Sequence, residues 1–208
     1  MRAALDESNW SDDAAVTAQS NEIGTDVLDA CRRGERDGFR ALYDAYRDRV
    51  YSIALRFFHG DGATAADVTQ DVFIKLMSNI GSFRGDAGFS TWLHRLVVNA
   101  CLDRSRAAQA REVATLPDAL DAVAIEPTHE HEIARRETAS SVRQAVSSLP
   151  AKLRLAILLR YFDGLSYEEM ASAMRCSPGT VASRLSRGHR LLATRLAALT
   201  GQPAEPRP

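Results

Sequence analysis

Hydrophobic residues recur along this chain mainly at steps of three and four, the spacing of α-helices that bury one face. The longest stripe comprises Phe39, Leu42, Tyr43, Tyr46, Val50, Ile53, Ala54 and Phe57. A second follows a break at residues 59–62 and comprises Val68, Val72, Leu76 and Ile80. We therefore predict an all-α fold whose core these stripes supply.

Turn-forming and capping residues indicate where the helices begin and end. Thr25 is predicted to cap a short first helix, and Gly34 is predicted to end it. The third helix is predicted to begin at Thr64. A strongly apolar helix within residues 149–164, with Leu155, Ile157, Leu158, Leu159 and Phe162 on it, is predicted to support the segment that follows.

The segment from Asp163 to Arg195 predicts a helix, a tight turn and a second helix. Ser166 and Glu169 have the spacing of a capping box, and Ser177 followed by Pro178 marks the second start. In the turn, Arg175 stands where a residue in the left-handed conformation would be convenient.

The second helix of this pair divides into an apolar and a basic side. Val181, Leu185, Leu192 and Leu196 fall on one side, whereas the opposite side carries Thr180, Ser183, Arg184, Arg187 and Arg190. The four arginines between Pro178 and Arg195 are accompanied by no acidic residue. Small polar residues and guanidinium groups suit a helix that enters a major groove, so the pattern indicates a DNA-binding helix-turn-helix. The alternative is a helical hairpin with a solvated basic face.

Charge is segregated along the chain, although the net charge of the 208 residues is only −1. Residues 1–30 and 112–137 are acidic, with net charges of −6 and −5, whereas residues 31–111 and 138–208 carry +4 and +6. Basic blocks matter more than a near-neutral total, because nucleic-acid affinity follows local neutralisation of phosphates.

Composition predicts two helical domains with a flexible connection. Residues 107–130 are small, acidic and interrupted by Pro117 and Pro127, as a tether would be. The predicted organisation is a disordered acidic tail at 1–24, a helical domain at 25–106, a linker at 107–130, a helix-turn-helix domain at 131–199 and a C-terminal tail at 200–208.

The cysteine spacing, the lengths of the apolar runs and the absence of catalytic motifs in the sequence limit the classes of function that this chain could have. Cys31, Cys101 and Cys176 are widely separated, which suggests neither a disulfide framework nor a zinc site and favours a reduced, cytoplasmic setting. No apolar run reaches the ~20 residues that cross a bilayer. His129 and His131 could be imagined as a metal pair but lack further ligands. No phosphate-binding glycine loop or nucleophile elbow supports an enzyme, and no cofactor is expected.

The loop at residues 82–92, SFRGDAGFSTW, is unusually aromatic. Phe83, Phe89 and Trp92 could plug the end of a helical bundle. Alternatively they could form a platform on which unstacked bases lie, because aromatic faces bind bases with little sequence demand.

Three stretches carry a family resemblance: DVTQDVFIKL at 67–76, SFRGDAGFSTWLHRLVVNACLD at 82–103 and LPAKLRLAILLRYFDGLSYEEMASAMRCSPGTVASRLSRGHRLL at 149–192. Together they resemble the extracytoplasmic-function (ECF) group of bacterial RNA polymerase sigma factors. The resemblance implies a σ2-like and a σ4-like domain without a σ3 domain between them.

The resemblance also implies roles for matching positions. Contact with core RNA polymerase falls on Asp67, Gln70 and Asp71. Recognition of the −10 promoter element falls on Phe83, Arg84, His94, Arg95, Asn99 and Asp103, with Phe83 beside a flipped base. Recognition of the −35 element falls on Thr180, Ala182, Ser183, Arg184, Ser186, Arg187 and Arg190.

The implied partners are promoter DNA and core polymerase, through its β′ clamp helices and β flap. An anti-sigma factor that covers both domains is a further candidate partner, because many members of this group are held inactive in that way. The main alternative from the residues alone is a helix-turn-helix regulator that binds operator DNA without polymerase.

Overall fold

A computed structural model describes residues 23–83, 85, 88–112 and 130–200 of the chain. Within these ranges it contains eight α-helices and no strand, which confirms the predicted all-α class. Nearly all of the predicted N-terminal tail, most of the linker, the C-terminal tail beyond residue 200, Arg84 and His129 lie outside the described residues.

The helices form two groups along the chain. The N-terminal domain consists of α1 (Thr25–Arg32), α2 (Arg36–Phe57), α3 (Gly62–Asn79), a 3₁₀ turn (Ile80–Ser82) and α4 (Phe89–Glu112). The C-terminal domain consists of α5 (Glu130–Ser147), α6 (Ala151–Tyr161), α7 (Tyr167–Ala173) and α8 (Pro178–Thr200). Among the described helices, none has the length and apolar character that crossing a membrane would require.

The predicted apolar stripes build the core of the N-terminal domain. Leu42, Val50 and Phe57 of α2 are almost fully buried, and Val68 and Leu76 of α3 are completely so. Tyr43 departs from the prediction because it is 40% exposed and packs edge-to-face on Phe73 at the rim of the core. A stripe with steps of three and four spans more than the buried sector of a helix, so its edge residues reach solvent.

Helix boundaries differ from the predictions in three places. Gly24 occupies the N-cap position of α1, and the side chain of Thr25 is not the cap. Asp61, rather than Thr64, caps α3 by accepting a hydrogen bond from the amide of Thr64 at 2.9 Å. Helix α4 extends to Glu112, into the residues that composition predicts as the linker. The added residues, AAQARE, are all strong helix formers, which explains the continuation.

The C-terminal domain is built around α6. Leu155, Ile157, Leu158 and Leu159 are buried there, as predicted, and Val181 and Leu185 of α8 pack on them. Phe162, which was expected to continue this apolar run, is 49% exposed because α6 ends at Tyr161.

The local signals of the helix-turn-helix are confirmed. Ser166 and Glu169 form both hydrogen bonds of a capping box at the start of α7. The hydroxyl of Ser177 accepts a hydrogen bond from the amide of Thr180 at 3.2 Å at the start of α8. Arg175 has a φ of 48°, the left-handed conformation that the tight turn requires. The turn therefore forms at a position where a non-glycine residue carries some steric strain.

The two domains pack directly against each other. Helices α2 and α4 of the N-terminal domain contact α6 and α7 of the C-terminal domain. This contact involves His94 and Arg95, two of the residues predicted for the −10 element.

Candidate nucleic-acid interface

The exposed side of α8 is the first candidate surface. Val181, Leu185 and Gly188 are buried against the rest of the domain and fix the rotation of the helix about its axis. Five of the exposed residues lie at positions i, i+1, i+4, i+5 and i+8, which is one face of a helix: Ala182, Ser183, Ser186, Arg187 and Arg190. The structure thus brings five of the seven residues predicted for the −35 element to one surface.

The other two residues of that set are oriented differently. Thr180 is half-buried, and its hydroxyl lies 2.9 Å from that of Ser177 in the cap of the helix. Arg184 is turned back toward the tight turn, where its Nη1 donates to the Sγ of Cys176 at 3.3 Å. Arg184 therefore braces the turn in this arrangement, which differs from the predicted DNA contact.

The aromatic residues of the predicted loop lie together at one end of the N-terminal domain. The ring of Phe83 lies 5.6 Å from that of Phe89 and 5.5 Å from that of Trp92, between ring centroids. The ring of Tyr46 joins this cluster from α2, 5.4 Å from Phe89. Phe83 is only 8% exposed, so its faces are against protein and not available to a base. This packing is the one that the bundle-plug alternative describes, and contact of Phe83 with a flipped base stays a prediction.

Arg32 of α1 contacts this aromatic cluster through Phe83. Its Nη2 donates to the carbonyl oxygen of Phe83 at 2.8 Å, and its guanidinium lies 5.8 Å from the centroid of the Phe83 ring. The two residues are 51 positions apart, so no local spacing in the sequence indicates this contact.

The predicted −10 residues of α4 fall into two groups. Asn99 is half-buried and Asp103 is exposed, where its carboxylate pairs with Arg106 at 2.7 Å. His94 and Arg95 instead face the C-terminal domain. His94 is 3% exposed, with Nδ1 lying 2.6 Å from the carbonyl oxygen of Ser90. Nη2 of Arg95 donates to the hydroxyl of Ser172 in α7 at 3.1 Å.

Asp163, in the connection between α6 and α7, completes this contact. Its carboxylate is bonded to Nε2 of His94 and accepts from Nε of Arg49 at 3.0 Å. Burial would raise the pKa of the Asp163 carboxyl, but the hydrogen bond and charge of His94, followed by the charge of Arg49, outweigh it and hold the pKa below its ordinary value. Asp163 is therefore a buried carboxylate whose charge is balanced from the other domain.

The third candidate surface lies on α3 and α2. Asp67, Gln70 and Asp71 are exposed on α3, as predicted, and Asp67 pairs with Arg104 of α4. Gln70 borders a groove whose other lining residues include Tyr43, Tyr51, Phe73, Ile74 and Met77. Ile74 and Met77 are each 52% exposed, so this surface combines polar groups with an uncovered apolar strip. Neither apolar residue was predicted as part of a site, although both lie within two turns of Gln70.

Comparison with known proteins decides the family. Residues 42–111 match the family described as sigma-70 region 2, and residues 139–192 match sigma-70, region 4. The RNA polymerase sigma-H factor of Pseudomonas aeruginosa is 35% identical over 176 residues, which cover 81% of this chain and 91% of that protein. The chain belongs to the sigma-70 family of RNA polymerase sigma factors.

Within the sigma-70 family the chain falls in the ECF group. The ECF RNA polymerase sigma-E factor of Escherichia coli K12 is 36% identical over 170 residues, which cover 77% of this chain and 87% of that protein. In this family's terms, the N-terminal domain contains region 2 and the C-terminal domain contains region 4.

Two solved structures share the fold of this sigma factor. One is RpoE from Bartonella quintana in complex with the anti-sigma factor NepR, with a TM-score of 0.60 and 24% identity, covering 78% of this chain and 96% of that one. The other is CnrH in complex with the cytosolic domain of CnrY, with a TM-score of 0.59 and 23% identity, covering 83% and 96%. Identity at this level supports the fold of the two regions and no residue roles.

Proposed function

We propose that the chain binds core RNA polymerase and directs it to promoters that carry −10 and −35 elements. The observation that carries this proposal is the exposed stripe on α8, with Arg187 and Arg190 beside small residues, on a rigidly supported helix-turn-helix. Small residues allow the backbone to approach base edges, and guanidinium groups reach guanine or phosphate. The relatives are polymerase sigma factors, so a regulator acting without polymerase is not favoured.

The stripe on α8 is assigned to the −35 element. Ala182 and Ser186 are short, so they contribute little hydrogen bonding to bases and leave more of the affinity to the arginines. We assign the −10 element to the α4 residues Asn99, Asp103, His94 and Arg95. Bases exposed by melting would exchange stacking with each other for contacts with protein, which offsets a few kcal/mol of unpairing.

Polymerase binding is assigned to the surface around Asp67, Gln70 and Asp71, extended by the apolar residues Ile74 and Met77. An exposed apolar strip with a polar border is the usual composition of a protein interface. Two modest DNA contacts become selective when polymerase holds both domains at a fixed spacing, because the second contact is then made at high effective concentration. The chain alone is expected to bind promoter DNA weakly and to carry out no covalent chemistry.

In vitro transcription with purified bacterial core polymerase and a promoter library tests the proposal. The expected result is that the chain co-purifies with core polymerase and redirects initiation to a shared pair of elements. Failure to associate with core polymerase, together with unchanged start sites, would contradict it. Tight binding of the free chain to a short palindrome would instead support the regulator.

A further inference from the structure

The interface between the two domains contains a positively charged site on the N-terminal domain. Arg49 of α2 and His94 of α4 converge on one point, and the carboxylate of Asp163 occupies that point. Arg49 also donates from Nη2 to the backbone carbonyl oxygen of Asp163 at 3.3 Å. The side chain of Asp163 is 9% exposed, so the group is nearly removed from water.

Asp163 serves the interface and not the core of its own domain. Among the described residues, every contact given for its carboxylate is with the N-terminal domain. By contrast, Glu169, six positions further on, uses its carboxylate locally in the capping box of α7. A carboxylate without a local partner that reaches a guanidinium and an imidazole in another domain has the chemistry of an inter-domain ligand.

The same contact covers residues that the proposed function assigns to the −10 element. His94 is buried where it meets Asp163, and Arg95 donates to Ser172 of α7. A strand of −10 DNA could reach these side chains only after α7 and the connection that holds Asp163 had moved away.

Two further contacts hold the domains together near the end of α2. Nη1 of Arg154 donates to the carbonyl oxygen of Phe57 at 2.8 Å, and the guanidinium of Arg56 lies 4.8 Å from the ring centroid of Phe162. Polar contacts therefore join the two domains beside the buried apolar residues that the domains share; polar contacts of this kind are usual where domains separate during function. The interface also leaves Nε of Arg95 buried without a hydrogen-bond partner among the described residues, so the closed arrangement does not satisfy every group that it buries.

We propose that Arg49 and His94 form a binding site for a DNA phosphate next to the −10 element, and that the carboxylate of Asp163 occupies this site in the free chain. This inference rests on the proposed function, and it adds Arg49 to the DNA-binding residues. Guanidinium groups and imidazole N–H groups are common ligands of phosphate oxygens, and a carboxylate presents the same two-oxygen edge to them. Promoter DNA and Asp163 then compete for one site, and the closed arrangement reduces binding of −10 DNA by the chain without polymerase.

Two substitutions at this site should change the affinity for −10 DNA in opposite directions, and together they test the inference. Asp163→Asn removes the competing charge while keeping the shape of the side chain, and Arg49→Ala removes a phosphate ligand. The probe is a short fluorescein-labelled non-template strand with the −10 sequence selected from the promoter library. Asp163→Asn should raise the affinity of the free chain for this strand by about tenfold, the size expected of one charge-assisted hydrogen bond.

Arg49→Ala should weaken binding of the same strand by the holoenzyme. It should also lower the salt dependence of that binding by about one released counterion. The matched controls are Glu168→Gln, an exposed carboxylate on α7, and Arg40→Ala, an exposed arginine on α2, which should change neither affinity. Equal affinity of the wild-type chain and Asp163→Asn for the strand, or an unchanged salt dependence in Arg49→Ala, would overturn the inference.

A measurement of shape separates this inference from the proposed function. Small-angle X-ray scattering of the full chain should give a larger radius of gyration for Asp163→Asn than for the wild type. Ser172→Arg places a second guanidinium opposite Arg95, and the repulsion between the two should also separate the domains. This second variant keeps the test valid if Asp163→Asn fails to fold. If wild-type holoenzyme selects promoters but both variants keep the wild-type radius, this inference fails and the proposed function stands. If no holoenzyme forms, the proposed function fails whatever the radius.

Discussion

Gly188 of α8 lies directly on Ile157 of α6. A Cβ at position 188 would be 3.2 Å from both Cγ1 and Cδ1 of Ile157, closer than ordinary van der Waals contact. Glycine therefore allows α8 to approach α6 at the middle of its length. This close approach sets the rotation of α8 and, with it, the direction in which Ser186 and Arg187 face.

Enlarging residue 188 should separate these helices. Gly188→Val is expected to lower the free energy of unfolding by roughly 1–3 kcal/mol, because overpacking at a close contact forces side chains and backbone to shift. Gly188→Ala should be nearly neutral, since a gain in helix propensity of up to about 1 kcal/mol offsets the milder crowding. Urea unfolding followed by circular dichroism measures both. Gly179→Ala is the control on the same helix, because a Cβ there would meet only Oγ of Ser177, at 3.9 Å. A stable Gly188→Val variant would show that the contact is loose.

Arg187 is expected to read the −35 element. Arg187→Ala should weaken −35-dependent transcription by about 1–3 kcal/mol if the guanidinium forks onto a base edge. The effect should disappear on a promoter from which the −35 match has been removed. Lys152→Ala, which deletes one exposed positive charge from the same domain, is the matched control. An unchanged promoter response in Arg187→Ala would place this side chain away from DNA.

The helix-turn-helix could be predicted from sequence because its determinants are local. The capping box of Ser166, the Ser177–Pro178 start and the left-handed Arg175 depend on neighbours within a few positions, and all three are confirmed. The role of Asp163 depends on Arg49, 114 positions earlier, and no spacing rule connects the two. The candidate DNA-binding surface of α8 could therefore be predicted from sequence. The contact that covers His94 with the C-terminal domain could not.

The polar border of the groove on α3 is expected to bind core polymerase. Replacing Gln70 and Asp71 together with alanine should reduce the affinity for core polymerase, because both side chains are exposed and make no contribution to the core. Pull-down on immobilised core polymerase measures the loss, and an unchanged circular dichroism melt establishes that the fold is intact. Asp44→Asn removes an exposed charge from α2 and should have no effect. Normal holoenzyme assembly with the double variant would refute the assignment.

Substitution of Phe83 distinguishes a structural role of this residue from a DNA-binding one. Because its ring is buried among Phe89 and Trp92, Phe83→Ala should destabilise the N-terminal domain by about 3–5 kcal/mol, the usual cost of removing a core phenylalanine. Closed-complex and open-complex formation should then decline together. Phe83→Leu keeps most of the volume and should restore both in large part. A stable Phe83→Ala protein that is defective only in open-complex formation would instead support contact with a base.

Which residues form the aromatic cluster could be predicted from sequence, whereas the exposure of their rings to solvent could not. Phe83, Phe89 and Trp92 stand out by their spacing in the predicted loop, although Phe89 and Trp92 belong to α4. Tyr46 approaches them from α2 and Arg32 from α1. These long-range neighbours decide whether the rings face solvent or protein. The resemblance implies a role for Phe83 beside a flipped base, but it carries no information about which side chains pack around the ring.

Asp61 should stabilise α3, which carries the proposed polymerase surface, in a pH-dependent manner. Its carboxylate accepts hydrogen bonds from the amide and the hydroxyl of Thr64, in that order of effect, and these bonds hold the pKa of Asp61 below its ordinary value. A depressed pKa in the folded state means that the stabilisation is present above the unfolded value of about 3.9 and is lost as the pH falls through the folded value. Asp61→Ala should therefore reduce the free energy of unfolding by about 0.5–2 kcal/mol near neutral pH.

The difference between wild type and Asp61→Ala should shrink as the pH drops below the ordinary aspartate value, because the protonated carboxyl is a weaker acceptor. Urea unfolding at a series of pH values measures this difference directly. Asp44→Ala, on the exposed side of α2, is the control and should give a smaller difference at neutral pH. A difference for Asp61→Ala that stays constant through the acid range would mean that the cap acts through its shape and not through its charge. In that case Asp61→Asn, which keeps an acceptor oxygen without the charge, should be as stable as the wild type throughout.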